Sequence, residues 1–204
     1  VSYACQKHET YLPTGERAGF FLGDGVGLGK GRQLAGMVLD SWRNGRRRHL
    51  WVSVSADLAV DATRDLTDIG ATDIVVSNIT KLPGGVEHLD KAKDGKKDGV
   101  IFATYSALSS SSKTRGKKGG KAVTRLEQIV NWLGGAGAEG CILFDESHKA
   151  KHLFPESAND ADDDGSGGGA GVGGGGTSRG RGRGKSKGGK STKMAKAVQA
   201  LQQA

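Results

Sequence analysis

Gly25, Gly27, Gly29 and Lys30 fall within "GFFLGDGVGLGKGR" (residues 19–32), between a short apolar run and a helical pattern. Residues of these types at this spacing can hold a phosphate. The glycines let the backbone turn its N–H groups toward the anion, the following helix presents its positive end, and the lysine adds a point charge. The match to G-x-x-x-x-G-K-[ST] is imperfect, because Asp24 takes the first glycine position and Gly31 the hydroxyl position. No register of these glycines satisfies G-x-G-x-x-G, which counts against a dinucleotide fold. A second stretch, "CILFDESHKAKH" (141–152), ends an apolar run in Asp145 and Glu146. Two carboxylates there can divide the work of nucleotide hydrolysis, Asp145 in the magnesium shell and Glu146 orienting and deprotonating the attacking water. His148 and His152 form an H-x-x-x-H pair without a suitably spaced third ligand, so chelation by these histidines is not expected. Each stretch alone also fits an ordinary glycine turn or a polar strand end. Their order, glycine loop first and acidic strand end later, is the order that nucleotide hydrolysis requires.

Such residues must be carried by a parallel sheet, and the rest of the sequence has the rhythm of one. The runs "AGFFL" (18–22), "LWVSV" (50–54), "DIVVS" (73–77), "GVIFATY" (99–105) and "CILF" (141–144) read as strands covered on both faces. Helical patterns separate them. Leu34, Ala35, Val38, Leu39 and Trp42 keep helical spacing after the glycine loop, and Leu126, Ile129, Val130 and Leu133 do so behind a Thr124/Glu127 capping box. "SADLAVDATRDL" reads as a helix capped by Ser55, and "YACQKHETYL" as a helix at the start. "LPGGVEHLDKAKDGKKDG" and "SSSSKTRGKKGGK" read as polar surface loops. The expected class is α/β, a parallel sheet that carries a phosphate loop; the resemblance described below implies that it is a RecA-like P-loop NTPase domain.

Composition narrows the function classes. The chain has 204 residues, of which 35 are glycine, too many for a uniformly packed domain. The excess lies in "ESANDADDDGSGGGAGVGGGGTSRGRGRGKSKGGK", which passes from acidic through nearly pure glycine to an Arg-Gly and Lys-rich end. It holds too little apolar surface to fold, so the expected division is a domain over 1–155, a disordered insert over 156–191 and a returning helix over 192–204. The insert is read as a solvated spacer, or as an electrostatic arm for nucleic acid. A net charge of +8 suits a polyanionic partner. No apolar run approaches the roughly 18 residues of a membrane helix, and the opening residues lack the order of a signal peptide. The expected protein is soluble and intracellular, with Cys5 and Cys141 as two small apolar residues rather than a disulfide. The absence of an N-K-x-D stretch weakens a GTPase reading, and the acidic pair followed by histidine weakens a small-molecule kinase.

The blocks "YACQKHE", "RAGFFLGDGVGLGKGR", "LWVSVSADLAVDATRDLTDIGA", "GVIFATYSAL" and "GCILFDESHKAK" resemble those of the strawberry notch family, a helicase-like group within superfamily 2. The resemblance covers about residues 1–154. In that family a glycine after the loop lysine is usual, so Gly31 departs from the general motif and not from the family. The resemblance implies ATP and Mg2+ as cofactors, with Gly25, Gly27, Gly29, Lys30, Gly31 and Arg32 around the phosphates, Asp145 on the metal, and Lys30, Glu146 and His148 in catalysis. A threonine at position 31 is then expected to strengthen magnesium-ATP binding or leave it unchanged. "WVSVSADL" and "FATYSAL" occupy the places of the motifs that touch nucleic acid, which makes Ser53, Ser55, Thr104, Tyr105 and Ser106 candidate contacts to a DNA or RNA backbone. The resemblance further implies a nuclear protein that regulates transcription with chromatin or transcription-factor partners. An adenine-reading glutamine motif, a Ser-Ala-Thr strand and a second RecA-like domain with arginines for the γ-phosphate are expected outside residues 1–204. Residues 1–204 alone are therefore expected to hydrolyse ATP poorly. A non-hydrolysing scaffold that keeps the fold and binds chromatin proteins is the alternative.

Overall fold

The computed structural model describes residues 1–15, 17–25, 27–93, 95–110, 123–148 and Leu201. Its centre is a four-stranded sheet of β1 (Arg48–Ser53), β2 (Val76–Asn78), β3 (Gly99–Thr104) and β4 (Ile142–Phe144), in the order β2-β3-β1-β4. Every pairing is parallel. Around it lie α1 (Ser2–His8), α2 (Lys30–Arg43), α3 (Leu58–Asp68), α4 (Tyr105–Ser109) and α5 (Arg125–Leu133).

Strand alternation sends neighbouring residues to opposite faces of the sheet, so central strands that are apolar throughout feed two cores. Leu50, Val52, Ile101 and Ala103 pack on one face with Tyr105, Leu108, Ile129 and Trp132 from α4 and α5. Trp51, Val100 and Phe102 pack on the other with Ala35 and Val38 of α2 and Ala62 and Leu66 of α3. Burying each large side chain stabilises the domain by about 1.5–3 kcal/mol, which holds β1 and β3 in register and fixes where their carboxyl ends emerge. Leu201 is helical and buried in the α4/α5 core.

The entry to β4 is fastened by His49. Its Nδ1 accepts the Cys141 backbone N–H at 3.0 Å, so the ring proton lies on Nε2, which donates to the Arg46 carbonyl at 2.9 Å. The ring is fully buried. Burial is the largest cause that pushes it down to about 4, with a smaller push from the charges of Arg46 and Arg47. Gly140, just before, has no substitute: a Cβ there would overlap the Arg48 carbonyl.

α5 has the expected capping box, with the Glu127 N–H donating to Thr124 Oγ1 at 3.1 Å and the Thr124 N–H to Glu127 Oε2 at 2.6 Å. Three expectations are corrected. Residues 18–22 form no strand; their one backbone hydrogen bond outside helices and strands joins Ala18 to Thr10. They line the same cavity as β4, and beside them Tyr11 and Arg17 form an isolated antiparallel bridge. α3 begins behind Asp57 without a side-chain cap, and Ser55 Oγ accepts only the Asp57 N–H, at 3.4 Å. The strand expected at 73–77 is three residues long and shifted to Val76–Asn78. Residues 111–122, within the second polar loop, and the insert and returning helix apart from Leu201 lie outside the described residues. Both cysteines are free. Among the described residues no helix is long and apolar enough to cross a membrane.

Candidate phosphate and metal site

The glycine loop needs its glycines at two measured places. Gly27 has φ 84° and Gly29 φ 69°, in the left-handed region that side chains with a Cβ rarely occupy. Gly29 is also the N-cap of α2, where it offers no side chain to the first turn, and that turn contains no acidic residue. The positive end of a 14-residue helix therefore opens beside the loop. Lys30 folds back, its Nζ donating to the carbonyls of Asp24 at 3.1 Å and Gly25 at 2.9 Å.

A brace missed in the sequence holds this loop. Gln33 Nε2 donates to Asp24 Oδ2 at 2.7 Å and to the Leu28 carbonyl at 3.2 Å, spanning the loop from the second turn of α2. Its only sequence signal was a long amide following the basic residues, too weak to find.

Asp145 follows β4 directly and is gripped three times. Its N–H donates to the Val52 carbonyl at 2.8 Å, Tyr105 Oη donates to its carbonyl at 2.9 Å, and Ser53 Oγ donates to its Oδ2 at 2.9 Å. Oδ1 has no hydrogen-bond partner among the described residues. Burial, then the charges of Asp145 and Glu146, hold the Tyr105 phenol well above its ordinary range, so it remains a donor at neutral pH. Glu146 has φ 52°, the one left-handed residue other than glycine among those described, and its Oε2 lies 3.0 Å from His148 Nδ1. Such a backbone costs on the order of 1 kcal/mol and concentrates at functional sites.

The two motifs meet. Asp24, Lys30, Asp145, Glu146, Ser147 and His148 line one cavity of about 1110 Å³ between residues 18–24 and β4. Among the described residues no three His, Cys, Asp or Glu side chains converge on a metal position. A lone carboxylate with one open oxygen fits magnesium, which takes its remaining ligands from phosphate and water.

Other sequence candidates stand elsewhere. Arg32 Nη2 donates to Asp68 Oδ2 of α3 at 2.6 Å and is absent from this cavity's lining. Gly31 is absent from the lining too, and a Cβ on it would overlap the buried Asp65 carboxylate of α3. A threonine at 31 would therefore require the Asp65 carboxylate to shift, a constraint that the expectation of unchanged or stronger magnesium-ATP binding did not include. Asp65 left one sequence signal: an acid three residues after Ala62, at helical spacing on the face that packs. Ser53 is fully buried and Tyr105 is 4% exposed, so neither side chain is free to reach a phosphate backbone. Thr104 Oγ1 caps α4 and shares a 2.9 Å hydrogen bond with Ser106 Oγ, which is exposed, and Ser55 is half-buried.

Gly25, Gly27 and Gly29 are absent from that lining, and Gly27 and Gly29 border a second pocket with Arg32 and Gln33. A parallel sheet that brings the lysine after a glycine loop and an acidic strand end to one cavity has the arrangement of a P-loop nucleoside triphosphatase domain. The chain belongs to the family described as P-loop containing NTP hydrolase pore-1, whose model matches residues 1–173. It is similar to strawberry notch homolog 1 of Homo sapiens, 50% identical over 155 residues that make up 76% of this chain and 11% of that protein. It is also similar to FORGETTER 1 of Arabidopsis thaliana, 47% identical over 157 residues, 77% of this chain and 11% of that protein. Strawberry notch of Drosophila melanogaster is 48% identical over 155 residues, 76% of this chain and 9% of that protein. The chain thus spans about a tenth of the length of these relatives. No solved structure matches it.

Proposed function

We propose that this domain binds ATP with magnesium as the first half of a helicase-like ATPase stimulated by DNA or RNA, within a nuclear regulator of transcription. The observation that carries the reading is the shared cavity, with Lys30 on one wall and Asp145, Glu146 and His148 on another. Lys30 exchanges its carbonyl partners for the β and γ phosphates, a charge-assisted replacement that favours the nucleotide. The open end of α2 and the N–H groups of the glycine loop take the remaining phosphate charge. Asp145 would hold the magnesium through Oδ1, the oxygen that Ser53 leaves open, and the metal would there neutralise charge that develops on the transferring phosphate. Glu146 orients the attacking water and takes its proton, and His148 holds Glu146 until that water arrives. Thr104, Ser106 and Ser55 are the hydroxyls left to contact a nucleic acid backbone. Residues 156–191 serve as a spacer, and chromatin or transcription-factor proteins are the partners expected for the longer protein.

The alternative, a scaffold that keeps the fold without hydrolysis, draws on one observation: Lys30 is already satisfied by its own loop. Nucleotide titration of the full-length protein, with magnesium and with a chelator, separates the two readings. Asp145→Asn is expected to remove the magnesium dependence of ATP binding, and Lys30→Ala to weaken binding with or without metal. Glu146→Gln should keep binding and lose turnover. An Asp145→Asn protein that binds magnesium-ATP as the parent does would favour the scaffold.

A further inference from the structure

We propose that Ser53 and Tyr105 are positioning residues for the Asp145 carboxylate, setting which of its oxygens faces the metal. The inference rests on the reading above that Asp145 holds magnesium. Ser53 is the last residue of β1 and lies opposite Thr104 of β3 in the parallel register. Alternation along β1 turns its side chain inward, where it is wholly buried, and its hydroxyl has a single hydrogen-bond partner, Asp145 Oδ2 at 2.9 Å. A carboxylate pinned through one oxygen loses its freedom to rotate, and the other oxygen, Oδ1, is presented in a fixed direction. Tyr105 acts one bond further back. Its hydroxyl, 2.9 Å from the Asp145 carbonyl, fixes the peptide from which the carboxylate departs, at the place where the backbone turns into the left-handed Glu146. The Val52 carbonyl completes the grip from β1. The carboxyl ends of β1 and β3 therefore hold the residue that follows β4 by its side chain and its peptide together.

Hydrogen-bond partners of metal ligands typically contribute 10–100-fold to metal affinity by fixing ligand orientation. In the full-length protein, Ser53→Ala is accordingly expected to weaken magnesium affinity in the presence of ATP by about tenfold. ATP affinity measured in a chelator should remain that of the parent, because the glycine loop and Lys30 are untouched. Ser53→Thr, which keeps the hydroxyl, should restore the magnesium affinity. Tyr105→Phe should lower it in the same sense by a smaller factor. Manganese titrated against each protein by its paramagnetic signal gives the same comparison without turnover. A Ser53→Ala protein with parental metal affinity overturns the inference. So does one that loses ATP affinity equally with and without metal, since that is the mark of a packing role. If the parent's ATP affinity ignores magnesium altogether, the metal assignment of Asp145 fails and this inference with it. A magnesium-dependent parent with an unchanged Ser53→Ala variant sinks only the positioning role.

Discussion

Gly31 shows how one missing side chain is set by a residue on another helix. The buried Asp65 carboxylate occupies the space where a side chain at 31 would begin, against the first turn of the helix that opens on the phosphate cavity. A carboxylate at that end of a helix is electrostatically favourable, and it lies outside the cavity, so it does not compete for the phosphate position. Inserting a side chain into packed surroundings costs about 1–3 kcal/mol. We therefore expect Gly31→Thr to lower the stability of the fold by about 2 kcal/mol, the middle of that range. Asp65→Ala introduced into the Gly31→Thr protein should recover much of the loss, because it clears the space. Denaturant titrations of the four proteins of this double-mutant cycle give the coupling directly. A Gly31→Thr protein as stable as the parent would show that Asp65 swings aside without cost.

At the scale of elements, β1 and β4 are joined through His49, and the joint depends on a neutral ring. The folded value, about 4, lies below the ordinary value of 6.5. The native state therefore binds fewer protons than the unfolded one, and the contribution of His49 to stability is complete above about pH 6.5 and lost as pH falls toward 4. Over that window the loss is on the order of 3 kcal/mol. Hydrogen exchange of peptides covering β1 and β4, corrected for intrinsic rates, should show protection falling between pH 7 and pH 5, and His49→Gln should flatten that dependence. An equal slope in the variant would place the titration elsewhere.

The same elements show what could be read from sequence. β1 and β3 were legible because they are apolar on both faces, and α5 because its cap and its apolar spacing agree. Residues 18–22 gave an equally strong apolar signal, yet a strand is a property of a pair, and their backbone pairing goes no further than the Ala18–Thr10 hydrogen bond beside the Tyr11–Arg17 bridge. Lys30 and the acidic strand end were singled out by residue type and order, and both line one cavity. Sequence alone makes Ser53 a candidate nucleic acid contact and misses its burial, because the aspartate it meets is 92 residues away and no local pattern records that meeting. The approach of Asp65 to Gly31 is equally tertiary, since it depends on how α2 and α3 pack on one face of the sheet.

At the scale of the whole molecule, the two cores hold the sheet from both sides, and the cavity lies along β4. β2 ends the sheet at one edge, and β4 ends it at the other, with its outer side facing the cavity. Across that space Phe20 and Phe21 stand 42% and 81% exposed. Among the described residues no strand pairs with the outer edge of β4, and such an edge next to exposed aromatic rings is a template for pairing with another chain. A preparation of residues 1–204 alone is therefore expected to self-associate as it is concentrated, seen as a rising mass by light scattering on a sizing column. Phe21→Lys should delay the onset, since a charge beside the edge opposes stacking. A sample that stays monomeric throughout would mean the flank is shielded. Storage behaviour and yield at the bench would then be governed by a few square nanometres beside β4, far more than by the melting point of the interior.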